Sequence, residues 1–199
     1  MTLPPEDHAR LTSHLRGNSE LISVLETIRE TGLPQGAVFA GAIYQTIWNG
    51  MLSLDPSYGI RDYDVIYFHP DVSWEAEDGW ERQFKAALPS DLAERVEVRN
   101  QARVHLWFGP RFGATYPPLA DADEALMRAL ATVHALSVRL ADTGEALQIS
   151  APLGLDDVYA MSFRAGPGGG NRAYVELKAR STLLRWPQAT YDPKPWRDA

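Results

Sequence analysis

The stretch "GIRDYDVIYFHP", residues 59–70, places two aspartates at the start of a hydrophobic run. Asp62 and Asp64 are separated by one residue, and residues 65–68 are all hydrophobic. Side chains two positions apart on a strand share one face, so the two carboxylates should lie side by side. Neighbouring carboxylates repel each other and raise each other's pKa unless a cation lies between them. The pattern therefore indicates a site for Mg²⁺ or Mn²⁺, since these ions prefer oxygen ligands and take few protein carboxylates.

An alternative is that both aspartates lie at the solvated end of a strand and one of them caps the preceding turn. The segment before them favours a ligand site instead. "GAVFAGAIYQTIWNGML", residues 36–52, has the pattern of a strand, a small-residue turn at 40–42 and a helix. Gly41 permits close approach of a ligand to the backbone, and the start of a helix presents N–H groups to an anion.

Helices and strands alternate along the rest of the chain. A helix is expected from Asn18 or Ser19 to Glu30, with Gly32 as its stop signal. The pattern then predicts a helix at 74–95 broken at 88–91, a strand beginning at 95 and a helix from Asp121 or Asp123 through Val133. After these come two strands about a turn at 142–144 and a short helix in 154–163. A loop at 164–171, a helix at 172–187 and an irregular last dozen residues complete the prediction. This order predicts an α/β (α+β) protein with a mixed β-sheet flanked by helices.

Composition narrows the class of protein further. The 199 residues are 45% hydrophobic, which suits one compact unit over residues 1–199. A net charge of −7 argues against non-specific binding to nucleic acid or to an anionic membrane. There is no cysteine, so disulfides, thiolate metal sites and thiol nucleophiles are excluded. No signal peptide or membrane span is recognisable, so a soluble, cytoplasmic protein is expected.

Together these segments resemble the nucleotidyltransferase superfamily that includes DNA polymerase beta and the tRNA CCA-adding enzymes. The resemblance rests on "AGAIYQTIWNG" followed by "RDYDVIYF". A closer resemblance, to a bacterial family of nucleotidyltransferase-like proteins labelled DUF925, rests on "DYDVIYF", "VEVRNQARVHLW", "APLGLDD" and a closing "RWP", over about residues 18–187. It implies a nucleotidyltransferase-like core at 18–110 and a C-terminal strand-and-helix extension at 111–199 that completes the cleft.

The resemblance also implies roles for individual residues. Asp62 and Asp64 would hold Mg²⁺ or Mn²⁺ against a nucleoside triphosphate, and Gly41 and Ala42 would cradle its phosphates. Glu97 is the candidate for a third catalytic carboxylate, although its alternation with valines also fits a solvent-facing strand residue. The further candidates for nucleotide binding are Arg99, Asn100, Gln101, Arg103 and Asp157. Each of the five also has an alternative role. Asn100 and Gln101 could form hydrogen bonds with the backbone, the two arginines could be solvated, and Asp157 could cap a helix.

The expected function is Mg-dependent transfer of a nucleoside monophosphate from a nucleoside triphosphate to an unidentified acceptor. The turn carries Gly41-Ala42, whereas the superfamily usually has Gly-Gly or Gly-Ser. A catalytically inactive nucleotide- or partner-binding module of the same fold is therefore the alternative. A metal-dependent phosphohydrolase is a third possibility.

Overall fold

A central β-sheet organises the protein, whose structure is a computed structural model describing residues 5–113, 115–194 and 196. Its strands are β1 (Ala37–Phe39), β2 (Tyr63–Tyr67), β3 (Val96–Asn100), β4 (Ser137–Leu140) and β5 (Leu147–Ser150). They lie in the order β3-β2-β1-β4-β5. β2 and β3 are parallel, and the other neighbours are antiparallel. A separate parallel pair consists of β6 (Ser162–Arg164) and β7 (Thr190–Asp192).

Helices flank this mixed sheet, as the sequence predicts. They are α1 (Pro5–Arg16), α2 (Ser19–Thr31), α3 (Gly41–Met51), α4 (Trp74–Ala86), α5 (Ser90–Ala93), α6 (Val104–Phe112), α7 (Asp156–Tyr159) and α8 (Arg172–Leu183). Short 3₁₀ helices span Gln101–Arg103, Asp123–Arg128 and Thr132–His134. Within the described part of the chain, no helix combines the length and the apolar character that crossing a membrane requires.

The ends of α2 confirm the predicted stop and start signals. The Asn18 side chain accepts a hydrogen bond from the backbone N–H of Leu21, which satisfies one of the free donors of the first turn. Gly32 ends the helix in the left-handed conformation, with φ of 65°. A residue without a Cβ adopts that conformation at little cost, so the helix stops where the sequence predicts.

One face of the sheet packs into the main hydrophobic core. Val98, Val65, Val38 and Val138 face one another in register across four strands, and each is buried. α2 covers β1 and β4 on this side, and α4 covers β3. Because side chains alternate along a strand, the residues between these valines point to the opposite face. That second face carries Phe39, Asp64 and Glu97, and it forms the floor of a cavity.

Several parts of the chain differ from the sequence prediction. The helix predicted through Val133 is two 3₁₀ helices, because the chain is extended at Ala129 and Ala131 forms a β-bridge with Ala165. The last dozen residues, predicted to be irregular, contain β7, which pairs with β6. Residues 5–16 form α1 and residues 104–112 form α6, and no helix was predicted at either place. In the first two cases, pairing with distant strands overrides the local preference.

Candidate active site

A cavity of about 600 Å³ lies over the polar face of β2 and β3. Residues of α3, α6 and α8 also line it, so the C-terminal part of the chain supplies one of its walls. The cavity has two parts with different chemistry. We call the part around Asp62, Asp64, Glu97 and Gly41 the charged half. The aromatic half is formed by Trp107, Phe108, Phe112 and Tyr116.

Three carboxylates line the charged half because of the strand register. Asp64 on β2 lies opposite Glu97 on β3, and paired residues project from the same face of a sheet. Asp62 lies two positions before Asp64, so it also faces the cavity. Asp62 and Glu97 are exposed, whereas Asp64 is half-buried. The structure thus brings together the three carboxylates that the sequence singles out.

Asp64 is the carboxylate with the strongest electrostatic conflict. Burial, and secondarily the negative charges of Asp62 and Glu97, raise the pKa of Asp64 from 3.8 to about 7. Lys178 and Arg99 oppose this shift. A cation bound among the carboxylates would relieve the repulsion, because it favours the ionised form of each group.

The turn before α3 brings backbone donors to the same place. Ala40 has φ of 55° and ψ of −110°, an uncommon conformation for a residue with a Cβ. Its N–H donates to the Leu136 carbonyl oxygen at 2.9 Å, and its own carbonyl oxygen accepts from Ile43 at 3.2 Å. Gly41 follows as the first residue of α3, and no side chain caps the helix N-terminus. Gly41 lines the cavity, so the start of α3 is available to an anion there.

Basic side chains concentrate around the cavity although the chain is acidic overall. They are Arg61, Arg99, Arg111, Arg128, Lys178 and Arg185. Arg99 forms ion pairs with Glu81 at 3.2 Å and Glu97 at 3.5 Å. None of the other five is in an ion pair with a carboxylate of the described residues. Unpaired cations in a concave site favour an anionic ligand, since field lines are focused there.

Two cations near the C-terminal end of the chain, Lys178 on α8 and Arg185 just after it, act on the carboxylates. Lys178 interacts electrostatically with Asp64, and Arg185 interacts with Asp62. Arg185 is held in place by a hydrogen bond of 2.6 Å to the Gly59 carbonyl oxygen, and its guanidinium stacks on Trp186. A ligand that carries several negative charges could therefore contact α8 on one side and the start of α3 on the other.

Two buried polar groups also line the cavity under α3. Gln45 donates to the Tyr44 hydroxyl at 3.2 Å, while its Oε1 atom is buried without a hydrogen-bond partner. His134 packs between the rings of Tyr44 and Phe163. Burial, and secondarily the positive charge of Lys178, lower the pKa of His134 to about 4. His134 is therefore neutral at physiological pH, and it serves as a packing residue.

Asn100 and Arg103, both predicted to bind a nucleotide, have partners elsewhere. Asn100 is fully buried, and its amide donates to the carbonyl oxygens of His69 and Asp71 and accepts from backbone N–H groups. Arg103 pairs with Glu77 at 2.6 Å. Neither side chain lines the cavity. These two residues hold the loop after β2 against the end of β3, which differs from the predicted role.

Ala42 and Asp157 also lie outside the cavity. Ala42 is buried inside α3, and Asp157 lies in a separate depression of about 150 Å³, where it pairs with Arg164 at 3.3 Å. Three of the predicted nucleotide-binding residues line the cavity: Gly41, Arg99 and Gln101.

The sequence analysis expected the C-terminal extension to complete the cleft, but it named none of the α8 side chains that line the cavity. Lys178, Ser181 and Thr182 of α8 line the cavity at relative positions 0, 3 and 4, and Arg185 lines it just beyond the end of the helix. That spacing places the three α8 residues on one face of the helix. The polar stripe is visible in the sequence, but nothing near it indicates that it faces Asp62 more than 100 residues away.

Asp62 and Asp64 suit a divalent cation by the nature of their donor atoms. Within residues 5–113, 115–194 and 196, no three His, Cys, Asp or Glu side chains are placed so that they could hold a metal ion together. Mg²⁺ requires fewer protein ligands than that, because it commonly binds one or two carboxylates and completes its shell with water and phosphate oxygens. Two carboxylates that share one cavity, one of them with a raised pKa, fit this requirement.

Comparison with known proteins relates this architecture to a family. A family model described as "Nucleotidyltransferase" matches residues 26–190. No curated protein matches the chain in sequence. A solved structure, described as an NMR structure that reveals a CCA-adding enzyme head domain, is similar with a TM-score of 0.74. It is 22% identical, and the match covers 92% of this chain and 95% of that one, which establishes a shared fold. Because the family match spans more than half of its residues, this protein belongs to the nucleotidyltransferase family.

Proposed function

We propose that the protein is a magnesium-dependent nucleotidyltransferase that moves a nucleoside monophosphate from a nucleoside triphosphate to an acceptor hydroxyl. One observation carries the proposal: a single cavity joins three carboxylates, the N-terminus of α3 and unpaired cations. Within this function, Asp62 and Asp64 hold the metal ion, as the donor set allows. Bound Mg²⁺ supplies neutralisation of the charge on the phosphate oxygens.

The triphosphate binds between α3 and α8 in this proposal. Gly41 allows the β- and γ-phosphates to approach the first N–H groups of α3. Lys178 and Arg185 contribute positive charge from the opposite wall. These groups stabilise the negative charge that accumulates on the leaving pyrophosphate, which is the main demand of phosphoryl transfer.

Glu97 is proposed to act on the acceptor. It is exposed to the cavity beside Asp64, and its side chain is 57% accessible. In the reaction, the acceptor oxygen forms a bond to the α-phosphorus while the bond to the bridging oxygen of pyrophosphate breaks. The carboxylate of Glu97 accepts the hydroxyl proton, which general-base catalysis requires of a group within hydrogen-bond reach.

A second candidate function is a nucleotide-binding module without catalysis. The Gly41-Ala42 turn, which has no hydroxyl for a phosphate, favours it. Membership of the narrower bacterial family DUF925 and a cytoplasmic location stay predictions. Both candidate functions require magnesium-dependent nucleotide binding, and only the first requires transfer.

Replacement of Glu97 separates the two functions. We expect Glu97→Gln to slow transfer from an α-³²P-labelled nucleoside triphosphate by at least about 100-fold, since a general base contributes that much. Nucleotide affinity should stay within a few-fold, because Glu97 contacts the acceptor rather than the triphosphate. The assay uses mononucleotides, oligonucleotides and hydroxyl-bearing small molecules as acceptors.

Glu94→Gln is the matched control, because Glu94 is an exposed carboxylate at the end of α5 and outside the cavity. This variant should transfer at the wild-type rate. Full transfer activity in Glu97→Gln would assign the proton transfer to another group. Nucleotide binding by the wild type with no transfer to any acceptor would favour the non-catalytic module.

A further inference from the structure

We propose that the aromatic half of the cavity is the acceptor subsite and that the acceptor is a nucleotide: a free mononucleotide or the terminal nucleotide of a single strand. This inference rests on the proposed function, because it assigns the second substrate of the same reaction. It depends on the order of groups along the cavity, on the exposure of the aromatic rings and on two cations beside them.

The strand register orders the groups along the cavity. Gly41 and Asp62 lie beyond one end of the row formed by Phe39, Asp64 and Glu97. The next row in the opposite direction contains Ile66, which packs in one cluster with Tyr116. The carboxylates therefore lie between the proposed phosphate site and the aromatic half.

In-line displacement then assigns the two halves. The attacking oxygen and the leaving oxygen occupy opposite sides of the phosphorus atom that is transferred. Pyrophosphate leaves towards Gly41 and α8, so the acceptor must approach from the side of Ile66 and α6. Glu97 lies in the central row, where it can reach an acceptor hydroxyl that comes from the aromatic half.

The aromatic rings form a continuous surface there. Phe108 contacts Tyr116 with ring centroids 4.7 Å apart and Phe112 with centroids 4.9 Å apart, and Trp107 lies 6.2 Å from Phe108. Phe112 is 48% exposed, so this aromatic surface is accessible to a ligand and is not part of the buried core. Exposed rings in a groove are suited to stacking against a base, which contributes about 1–3 kcal/mol per base.

Two arginines make the same surface suitable for a phosphate. The Arg111 guanidinium lies 5.3 Å from the centroid of Phe112, and that of Arg128 lies 6.0 Å from the centroid of Tyr116. Neither is in an ion pair with a carboxylate of the described residues. An aromatic surface flanked by unpaired arginines combines the two features that bind single-stranded nucleotides.

Charge and volume limit the acceptor to a nucleotide or a strand end. The net charge of −7 repels an extended polyanion that would lie across the surface. The 600 Å³ cavity has the size of a site for one or two small ligands. A nucleoside triphosphate together with one terminal nucleotide fits these limits better than a long strand does.

Calorimetry with two probes tests the inference. Adenosine monophosphate and a five-residue oligoadenylate are each titrated into the protein with magnesium, with and without a saturating non-hydrolysable ATP analogue. We expect at least one probe to bind beside the analogue, and Trp107→Ala to weaken that probe about tenfold or more. Affinity for the analogue should change less than twofold. If only the oligonucleotide binds, the acceptor is the end of a strand. If both probes bind, a free mononucleotide is sufficient to occupy the acceptor subsite.

Trp74→Ala is the matched control, because Trp74 is 61% exposed at the start of α4 and does not line the cavity. Phe112→Ala is a second test variant whose half-exposed ring can be removed with little cost to folding. Failure of both probes to bind the loaded wild-type protein would overturn the inference, as would a Trp107→Ala variant that weakens the analogue instead. Failure of the analogue itself would refute the proposed function, while the titrations without analogue would still test the subsite.

Discussion

At the scale of single residues, Asp64 shows the cost of burying a carboxylate beside two others. Its folded-state pKa of about 7 lies above the ordinary 3.8, so the ionised carboxylate destabilises the metal-free fold above pH 7. The penalty decreases as the pH falls below 7, because the folded state takes up a proton that the unfolded state does not bind. Below about pH 4 both states are protonated, and the penalty disappears.

We therefore predict that Asp64→Asn stabilises the metal-free protein by about 1–3 kcal/mol at pH 8, and that the gain disappears at pH 4. Urea unfolding at the two pH values in the presence of a chelator measures the difference. Asp142→Asn, at an exposed position between β4 and β5, is the control and should change stability little. A loss of stability in Asp64→Asn at pH 8 would show that the carboxylate is well satisfied in the metal-free cavity.

At the scale of elements, α8 supplies part of the wall of the cavity over the carboxylate-bearing sheet. Lys178 lines this cavity, and its ammonium lies 5.5 Å from the centroid of the Tyr174 ring without a carboxylate partner among the described residues. Its charge is therefore available to a phosphate.

We predict that Lys178→Met weakens binding of a non-hydrolysable nucleoside triphosphate by about tenfold, because a charge-assisted contact to phosphate is lost. Calorimetry at two salt concentrations measures the effect, and the salt dependence of binding should fall in the variant. Lys194→Met removes an exposed charge near the C-terminus and should leave the affinity unchanged. Equal affinities for Lys178→Met and the wild type would show that Lys178 of α8 does not contact the phosphates.

Elements also show what the sequence could and could not predict. The shared face of Asp62 and Asp64 and the place of Gly41 were predictable, because strand alternation and the turn before α3 act locally. Glu97 joins them through the pairing of β3 with β2. The positions of Lys178 and Tyr116 depend on packing between segments far apart in the chain, which local patterns do not encode. Asn100 was assigned to the nucleotide because an amide that serves the backbone has the same sequence signal as one that binds a ligand.

At the scale of the whole molecule, the protein keeps an acidic surface and gathers unpaired cations in one cavity. This arrangement favours small anionic ligands in the site and disfavours polyanions elsewhere. The family match over residues 26–190 agrees with a cavity that binds a nucleotide.

Nucleotide binding with and without magnesium tests this account most directly. A non-hydrolysable nucleoside triphosphate is titrated calorimetrically into the wild type and into a variant with both Asp62→Asn and Asp64→Asn, in magnesium and in chelator. Circular dichroism confirms native folding of both proteins. The account predicts binding to one site of the wild type in magnesium, and binding at least about tenfold weaker in chelator or in the variant. Absence of binding to the folded wild type, or equal binding under all four conditions, would contradict it.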